Sequence, residues 1–289
     1  MQKNIQILAP AKVNIGLKVY PKREDGFHNI CSIFQTVRLF DRLSVSLLQN
    51  ENSCILHSGN FILPKENTIT KTYDAFCKIT GCRTGVEVTL EKHIPSGGGL
   101  GGGSSDAASF LRALAQLNNI QLSESLKNSV ASLVGSDVFF FLTEKLPGSE
   151  SVCGIVTGRG EHIRQFYPRN DLHFLLLFPD VHSSTKEAYE LLDKYSGTCS
   201  PATCPDLSDL IALYKSPVQN WTFKNSFTSV LVQKYPAVGK ALQDIKNSGA
   251  LWAEMSGSGA VVFGVFTNLK DAQTALAHLK QSWNYCVIA

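Results

Sequence analysis

At 289 residues, 44% of them hydrophobic, the chain is long enough for two packed domains and has the make-up of an ordinary globular protein. A formal net charge of +3, with Lys and Arg dispersed, is too mild for a nucleic-acid footprint but suits an anionic metabolite. The longest apolar runs, Val138 to Leu142 and Phe174 to Phe178, fall far short of the ~20 residues a membrane helix requires.

From Ile5 onward apolar and polar residues alternate, which reads as neither a signal nor a transit peptide. Val13, Ile15, Leu17 and Val19 then alternate with Asn14, Gly16, Lys18 and Tyr20, so an early strand is expected to bury one face and turn the other, with Lys12 and Asn14, outward. On that reading Lys12 is a solvated surface lysine. The turn signal Asp25-Gly26 follows, with Phe27 and His28 side by side at a strand entry. A flat base could stack on Phe27 while His28 bonds its edge; a plain hairpin with Phe27 buried is the other reading. Asn67 is placed to cap a helix carrying Ile69, Tyr73, Phe76 and Ile79 and ending at Gly81. Val86, Val88 and Leu90 alternate with Glu87, Thr89 and Glu91 as in a half-buried strand.

Between that strand and the next helical pattern stands Ile94-Pro95-Ser96-Gly97-Gly98-Gly99-Leu100-Gly101-Gly102-Gly103-Ser104-Ser105. Glycine carries an entropic cost that packing alone would avoid, and its bare backbone can press N–H groups against a ligand. Ser104 and Ser105 read as N-caps of a helix with Ala107, Ala108, Leu111, Leu114 and Ala115 at helical spacing. The unpaired N–H groups and dipole of such a helix start make an anion site, so the stretch reads as a phosphate cradle. It is not a dinucleotide fingerprint. Gly97-x-Gly99-x-x-Gly102 is followed by a helical pattern, Leu126, Val130, Leu133 and Val134, where a second strand and an acid are required. Gly103 is followed by Ser104 rather than by a Walker lysine, and neither His-Arg-Asp nor Asp-Phe-Gly occurs downstream as a protein kinase would need.

Gly135-Ser136-Asp137 stands before the apolar run from Val138, and an acid there is either a cap or a carboxylate in a partly dry site. Past Gly158-Arg159-Gly160-Glu161 the pattern changes, placing a domain boundary near 165. Beyond a strand begun by the run Leu172 to Phe178, helices are expected near 185–195, 206–214, 225–234, 236–247 and 269–281, with strands near 251–255, 260–266 and 284–288. The turn Ser256-Gly257-Ser258-Gly259 joins two of the strands and can bring its backbone close to a ligand. Cys31, Cys54, Cys77, Cys82, Cys153, Cys199, Cys204 and Cys286 are scattered without a Cys-x-x-Cys pair, which argues against zinc and disulfides and for reduced thiols in the cytoplasm.

Pro95-x-x-x-Gly99-Leu100-Gly101-Gly102-Gly103-Ser104-Ser105-x-Ala107-Ala108 closely resembles the phosphate-binding motif of the GHMP kinases, which phosphorylate small molecules with ATP. Pro10-Ala11-Lys12-Val13-Asn14 is similar to their N-terminal motif and Met255-Ser256-Gly257-Ser258-Gly259-Ala260 to their C-terminal one. Arg23-x-Asp25-Gly26-Phe27-His28, Gly135-Ser136-Asp137-Val138 and Gly158-x-Gly160-Glu161 resemble the subgroup that acts on a cytidine diphosphate derivative of methylerythritol in isoprenoid precursor synthesis. The resemblance implies an α/β (α+β) fold of two domains, 1–165 binding ATP and 166–289 C-terminal, with the active site in the cleft between them. By position in the motifs, Asp137 resembles the catalytic base and Lys12 its partner. Pro95, Gly97, Gly98, Gly99, Leu100, Gly101, Gly102, Gly103, Ser104 and Ser105 match the ATP-phosphate loop, with Asn67 on the adenine side. Phe27, His28 and Tyr189 match the cytosine grip, and Asn14, Thr185, Ser256 and Gly257 the remaining substrate contacts. ATP and Mg2+ are the implied cofactors, with no magnesium ligand identified and the oligomeric state open. A tyrosine is usual where Phe27 stands, asparagine is common where Asp106 stands, and proline is often found where Phe139 stands. Homoserine or mevalonate as acceptor, or a sensor without turnover, are the alternatives; Asp25-Gly26-Phe27-His28 argues for the nucleotide-headed substrate, and Lys12 with Asp137 against the sensor.

Overall fold

The computed structural model describes residues 4–48, 52–59, 61–195 and 209–289. Cys199, Cys204 and the first residues of the helix expected at 206–214 lie outside them. Contacts divide the chain into two compact units. One holds the described residues of Met1–Ala11, Leu39–Pro95 and Gly101–Glu144, the other those of Lys12–Arg38, Ser96–Leu100 and Lys145–Ala289.

In the first unit the far end of strand β2 (His28–Leu47) pairs antiparallel with β4 (Val86–Glu91), which pairs in parallel with β3 (Cys54–His57). The register sets Leu43 against Leu90, Val45 against Val88 and Leu47 against Val86, so the alternation seen in Val86, Val88 and Leu90 meets a matching apolar series. Helices α1 (Thr68–Thr80), α2 (Gly102–Leu117), α3 (Glu124–Val134) and α4 (Ser136–Leu142) pack against one another here. Asn67 caps α1 as expected. Its side chain accepts from Ile69 N and Thr70 N, Thr70 completes a capping box, and Gly81 closes the helix at φ 74°. Leu126 and Val130 are buried on α3, but Leu133, in its last turn, is exposed. Helix α2 starts earlier than expected. Gly101 is the N-cap and Gly102 the first helical residue, which puts Ser104 and Ser105 inside the first turns and not at the cap.

In the second unit β1 (Asn4–Lys22, from Lys12 on) belongs with the start of β2, which pairs antiparallel with β5 (Cys153–Gly158), and β5 in turn with β6 (His162–Gln165). The β5–β6 hairpin is an addition to the strands expected from the sequence. A separate antiparallel sheet runs β10 (Cys286–Ile288), β7 (His173–Leu177), β9 (Val262–Phe266), β8 (Trp252–Met255). Helices α8 (Pro236–Asn247) and α9 (Leu269–Leu279) pack on it, and every residue of β9 is buried. Helix α5 (Thr185–Tyr195) matches its expected span, and α6 is Leu210–Lys215. Helix α7 (Thr228–Lys234) begins three residues later than the pattern suggests, because Lys224 and Asn225 pair their backbone with Leu17 of β1.

Candidate active site

The structure overturns the expectation that one face of β1 looks outward at Lys12. Lys12 and Asn14 are 3% and 1% exposed, and residues from Ala11 to Leu17 are buried on both faces. A lysine is almost never buried unless its ammonium is satisfied. Here Lys12 Nζ donates to Asn14 Oδ1 at 2.6 Å and to the carbonyl of Gly99 at 3.0 Å, and it lies 4.6 Å from the centroid of the Phe34 ring. Its backbone N–H donates to Leu100 O at 2.9 Å, so the strand is tied to the glycine loop at both levels. Asn14 Nδ2 donates onward to Ser32 Oγ, which donates to Gly16 O.

The turn Ser256–Gly259 is fastened to the same loop. Ser256 Oγ donates to Gly99 O at 2.9 Å and accepts from Asn14 N at 3.3 Å, and Val261 N donates to Gly98 O. Gly99 has φ +76°, and a Cβ built on it would lie 2.0 Å from Ser256 O, so only glycine fits where the two backbones cross. Gly257 takes the facing position, its own Cβ meeting Gly99 Cα at 3.0 Å. Asn225, which no motif singled out, anchors the turn, Nδ2 donating to Met255 O and Gly257 O at 2.8 Å each. Behind it Glu254 accepts from Asn225 N, with burial holding its carboxyl above the usual range. Thr185, at the start of α5, shares a 3.0 Å hydrogen bond with Ser258 Oγ.

The Arg23–His28 segment is the tight turn of a β1–β2 hairpin, with Gly26 N donating to Arg23 O and Phe27 N to Asp25 Oδ1. Phe27 is not buried in it. The residue is 47% exposed, and the Arg159 guanidinium carbon sits 3.6 Å from its ring centroid. His28 is buried, its Nδ1 donating to Tyr20 O at 2.8 Å and its Nε2 3.3 Å from Asp193 Oδ1. Since a carbonyl only accepts, the proton sits on Nδ1. Tyr189 approaches His28, with ring centroids 5.0 Å apart, and meets Phe227 edge-on at 4.9 Å. Arg159 is visible in sequence only as the variable place of Gly158-x-Gly160-Glu161.

In the first unit, taken by itself, α2 starts with Gly102, Gly103, Ser104 and Ser105. Beneath it lies an ion triad that the sequence does not announce. Lys92 Nζ bonds Asp106 Oδ2 at 2.8 Å and, at short range, Asp41 Oδ2, while Asp41 Oδ1 accepts from His93 N and Ile94 N. Burial, tempered by Lys92 and reinforced by Asp41, pushes the Asp106 carboxyl up to about 7. Burial also works against the Lys92 ammonium, but Asp106 and Asp41 together hold its pKa above the ordinary value. Asp137, half-buried, occupies the first turn of α4, where a carboxylate is favoured by the unpaired N–H groups. Asn67, capping α1, also donates Nδ2 to Pro64 O. Among the described residues no group of three His, Cys, Asp or Glu side chains is arranged to hold a metal ion. Among them, too, no helix is long and apolar enough to cross a membrane.

The buried lysine bonded to the glycine loop in one unit and, in the other, the helix start at Gly102 and the acid in the first turn of α4 are, each taken by itself, groups that phosphoryl transfer without a Walker lysine calls for. The GHMP kinases N terminal domain matches residues 67–145 and the GHMP kinases C terminal domain residues 205–284, and the chain belongs to this family of ATP-using kinases. A 4-diphosphocytidyl-2-C-methyl-D-erythritol kinase of Treponema pallidum (strain Nichols) is 37% identical over 99% of the chain and 98% of its own length. A crystal structure of 4-(cytidine 5'-diphospho)-2C-methyl-D-erythritol kinase superposes with a TM-score of 0.80 at 29% identity, covering 98% of each chain. A homoserine kinase from Cytophaga hutchinsonii shares the fold at a TM-score of 0.67 and 20% identity, over 100% of this chain and 94% of its own.

Proposed function

We propose that this chain transfers the γ-phosphoryl group of ATP to the 2-hydroxyl of 4-diphosphocytidyl-2-C-methyl-D-erythritol, a step of the non-mevalonate (methylerythritol phosphate) route to isoprenoid precursors. Residues 1–165 supply the ATP-binding segments and 166–289 the C-terminal part, while the second compact unit draws on both stretches. Backbone N–H groups from Gly97 to Gly103, with Ser104 and Ser105 and between Pro95 and α2, hold the triphosphate, and Leu100 fixes the loop to β1. Asn67 borders the adenine. Magnesium bound with the nucleotide would offset phosphate charge, and no residue of this chain is assigned as its ligand. Use of ATP and the scattered cysteine pattern of the sequence, without a Cys-x-x-Cys pair, support a cytoplasmic setting.

Phosphoryl transfer asks a protein mainly for positioning and charge stabilisation. Asp137 accepts the proton of the acceptor hydroxyl as its oxygen attacks the γ-phosphorus and the bridging oxygen leaves with ADP. Lys12 holds that oxygen and favours its anionic form. Phe27, His28 and Tyr189 receive the cytosine, while Asn14, Thr185, Ser256 and Gly257 orient the rest of the substrate. The observation that carries this reading is the 3.0 Å bond from Lys12 Nζ to Gly99 O, which fastens a buried ammonium to the phosphate loop itself. An ADP-release assay offering the cytidine substrate beside mevalonate and homoserine tests it, and turnover on either simpler alcohol at a comparable rate overturns the substrate assignment. In the same assay Asp137→Asn lowers kcat by about 10²–10⁴-fold with ATP affinity kept. A near wild-type rate removes Asp137 as the base.

A further inference from the structure

Asp41, Lys92 and Asp106 place two carboxylates on one ammonium in a dry site, with side chains 0%, 8% and 3% exposed. Such a site carries one negative charge too many, and burial makes that charge costly. The two acids are not equivalent. Asp41 engages Lys92 through one oxygen and two backbone N–H groups through the other. Asp106 gives Oδ2 to Lys92, and its Oδ1 is buried with no hydrogen-bond partner, as is the neighbouring Ser105 Oγ. A proton therefore goes onto Asp106 Oδ1 at least cost. The triad also lies directly behind the helix start, since a Cβ on Gly102 would come within 3.3 Å of Lys92 Nζ.

We propose that Asp106 is a proton-accepting counter-charge to the nucleotide: as the phosphates settle on the first turn of α2, Asp106 takes one proton from solvent at Oδ1, and Lys92 and Asp41 position the neutral carboxyl. The inference rests on the reading of α2 as the phosphate site. An arriving polyanion on the first turn of α2 adds like charge near the Asp106 carboxyl, which favours the protonated form. With the unliganded carboxyl already at about 7, a modest further rise moves protons near neutrality. The charges acting on Asp106 are those of Lys92, at the end of β4, and Asp41, on β2. The helices packed against α2 also carry ionisable groups, Lys71, Tyr73, Asp74, Cys77 and Lys78 on α1, Asp137 on α4, and Glu124 and Lys127 on α3.

Calorimetric titration of a non-hydrolysable ATP analogue with magnesium, in buffers of different ionisation enthalpy, reads the protons exchanged. For a one-unit rise, linkage predicts an uptake of about half a proton near pH 7.5, vanishing toward low and high pH. Asp106→Asn abolishes this component, whereas titration of the phosphates themselves, near pH 6, is common to both proteins and cancels in the difference. Equal linkage in wild type and Asp106→Asn overturns the inference. If that variant fails to fold, the wild-type curve decides, because a curve without a maximum between about pH 7 and 8 is equally fatal. Gly103→Asp, which puts a carboxylate in the first turn, separates the two claims. Affinity unchanged by it overturns the phosphate-site reading, and affinity lost with linkage insensitive to Asp106→Asn overturns the proton uptake alone.

Discussion

Replacing Gly99 with alanine tests whether the crossing of the phosphate loop and the Ser256 turn sets the site. At φ +76° an L-residue pays roughly 1–2 kcal/mol of backbone strain. The added methyl carbon would stand 2.0 Å from Ser256 O, so one strand of the crossing must retreat by more than an ångström to reach ordinary contact. That retreat strains the bonds converging on Gly99 O, from Lys12 Nζ at 3.0 Å and Ser256 Oγ at 2.9 Å. With about 2–3 kcal/mol for the charge-assisted bond and about 1 kcal/mol for the neutral one, the expected cost beyond the backbone strain is about 3–4 kcal/mol, drawn largely from the reacting geometry. A fall of about 10² to 10³ in kcat/KM for ATP follows as an order of magnitude. Gly81→Ala is the control. It has φ +74° and nothing within 4 Å of the new carbon, so it isolates the strain, about 1 kcal/mol in denaturant melts, and leaves kinetics unchanged. Gly99→Ala with the kinetics of Gly81→Ala refutes the reasoning.

Arg159→Gln uncovers one face of Phe27, and Phe27→Ala removes the platform; both raise KM for the cytidine substrate, the second by about 10-fold or more, with KM for ATP unchanged in initial-rate measurements. Asn225→Ala leaves the Met255 and Gly257 carbonyls without their 2.8 Å donor and lowers unfolding stability by about 2–3 kcal/mol in chemical denaturation, with a lower kcat as the turn loosens. Asp106 is raised in the folded protein from 3.8 to about 7, so the native state binds more protons than the unfolded one in that window. Stability from this group is therefore full below about pH 4 and declines as pH climbs toward 7, by up to ~1.4 kcal/mol per unit. Asp106→Asn removes the decline, and urea midpoints compared at pH 5 and 7 show the difference.

Much of the second unit's helix and strand order was legible because its signals are local. Pro236 opens α8, Asn268 caps α9, and each amphipathic stretch meets the sheet it packs on. The glycine loop and the Asn67 cap were legible for the same reason, since backbone freedom and capping are properties of a few consecutive residues. Alternation misled at Lys12. Period-two patterning predicts which side chains share a face, but not whether a second layer covers it, and the loop and the Ser256 turn do cover it, each supplying partners that satisfy the ammonium and its neighbours. Asn225, Arg159 and the Asp41–Lys92–Asp106 triad were equally invisible, as each acts through residues well separated along the chain with no motif between them. The sequence by itself determined the family, the glycine loop and the two charged candidates for catalysis. Tertiary structure alone decided that Lys12 is buried, that Gly99 and Gly257 must remain bare and that Asp106 shares its lysine, because burial, close approach and shared charge arise only where distant segments meet.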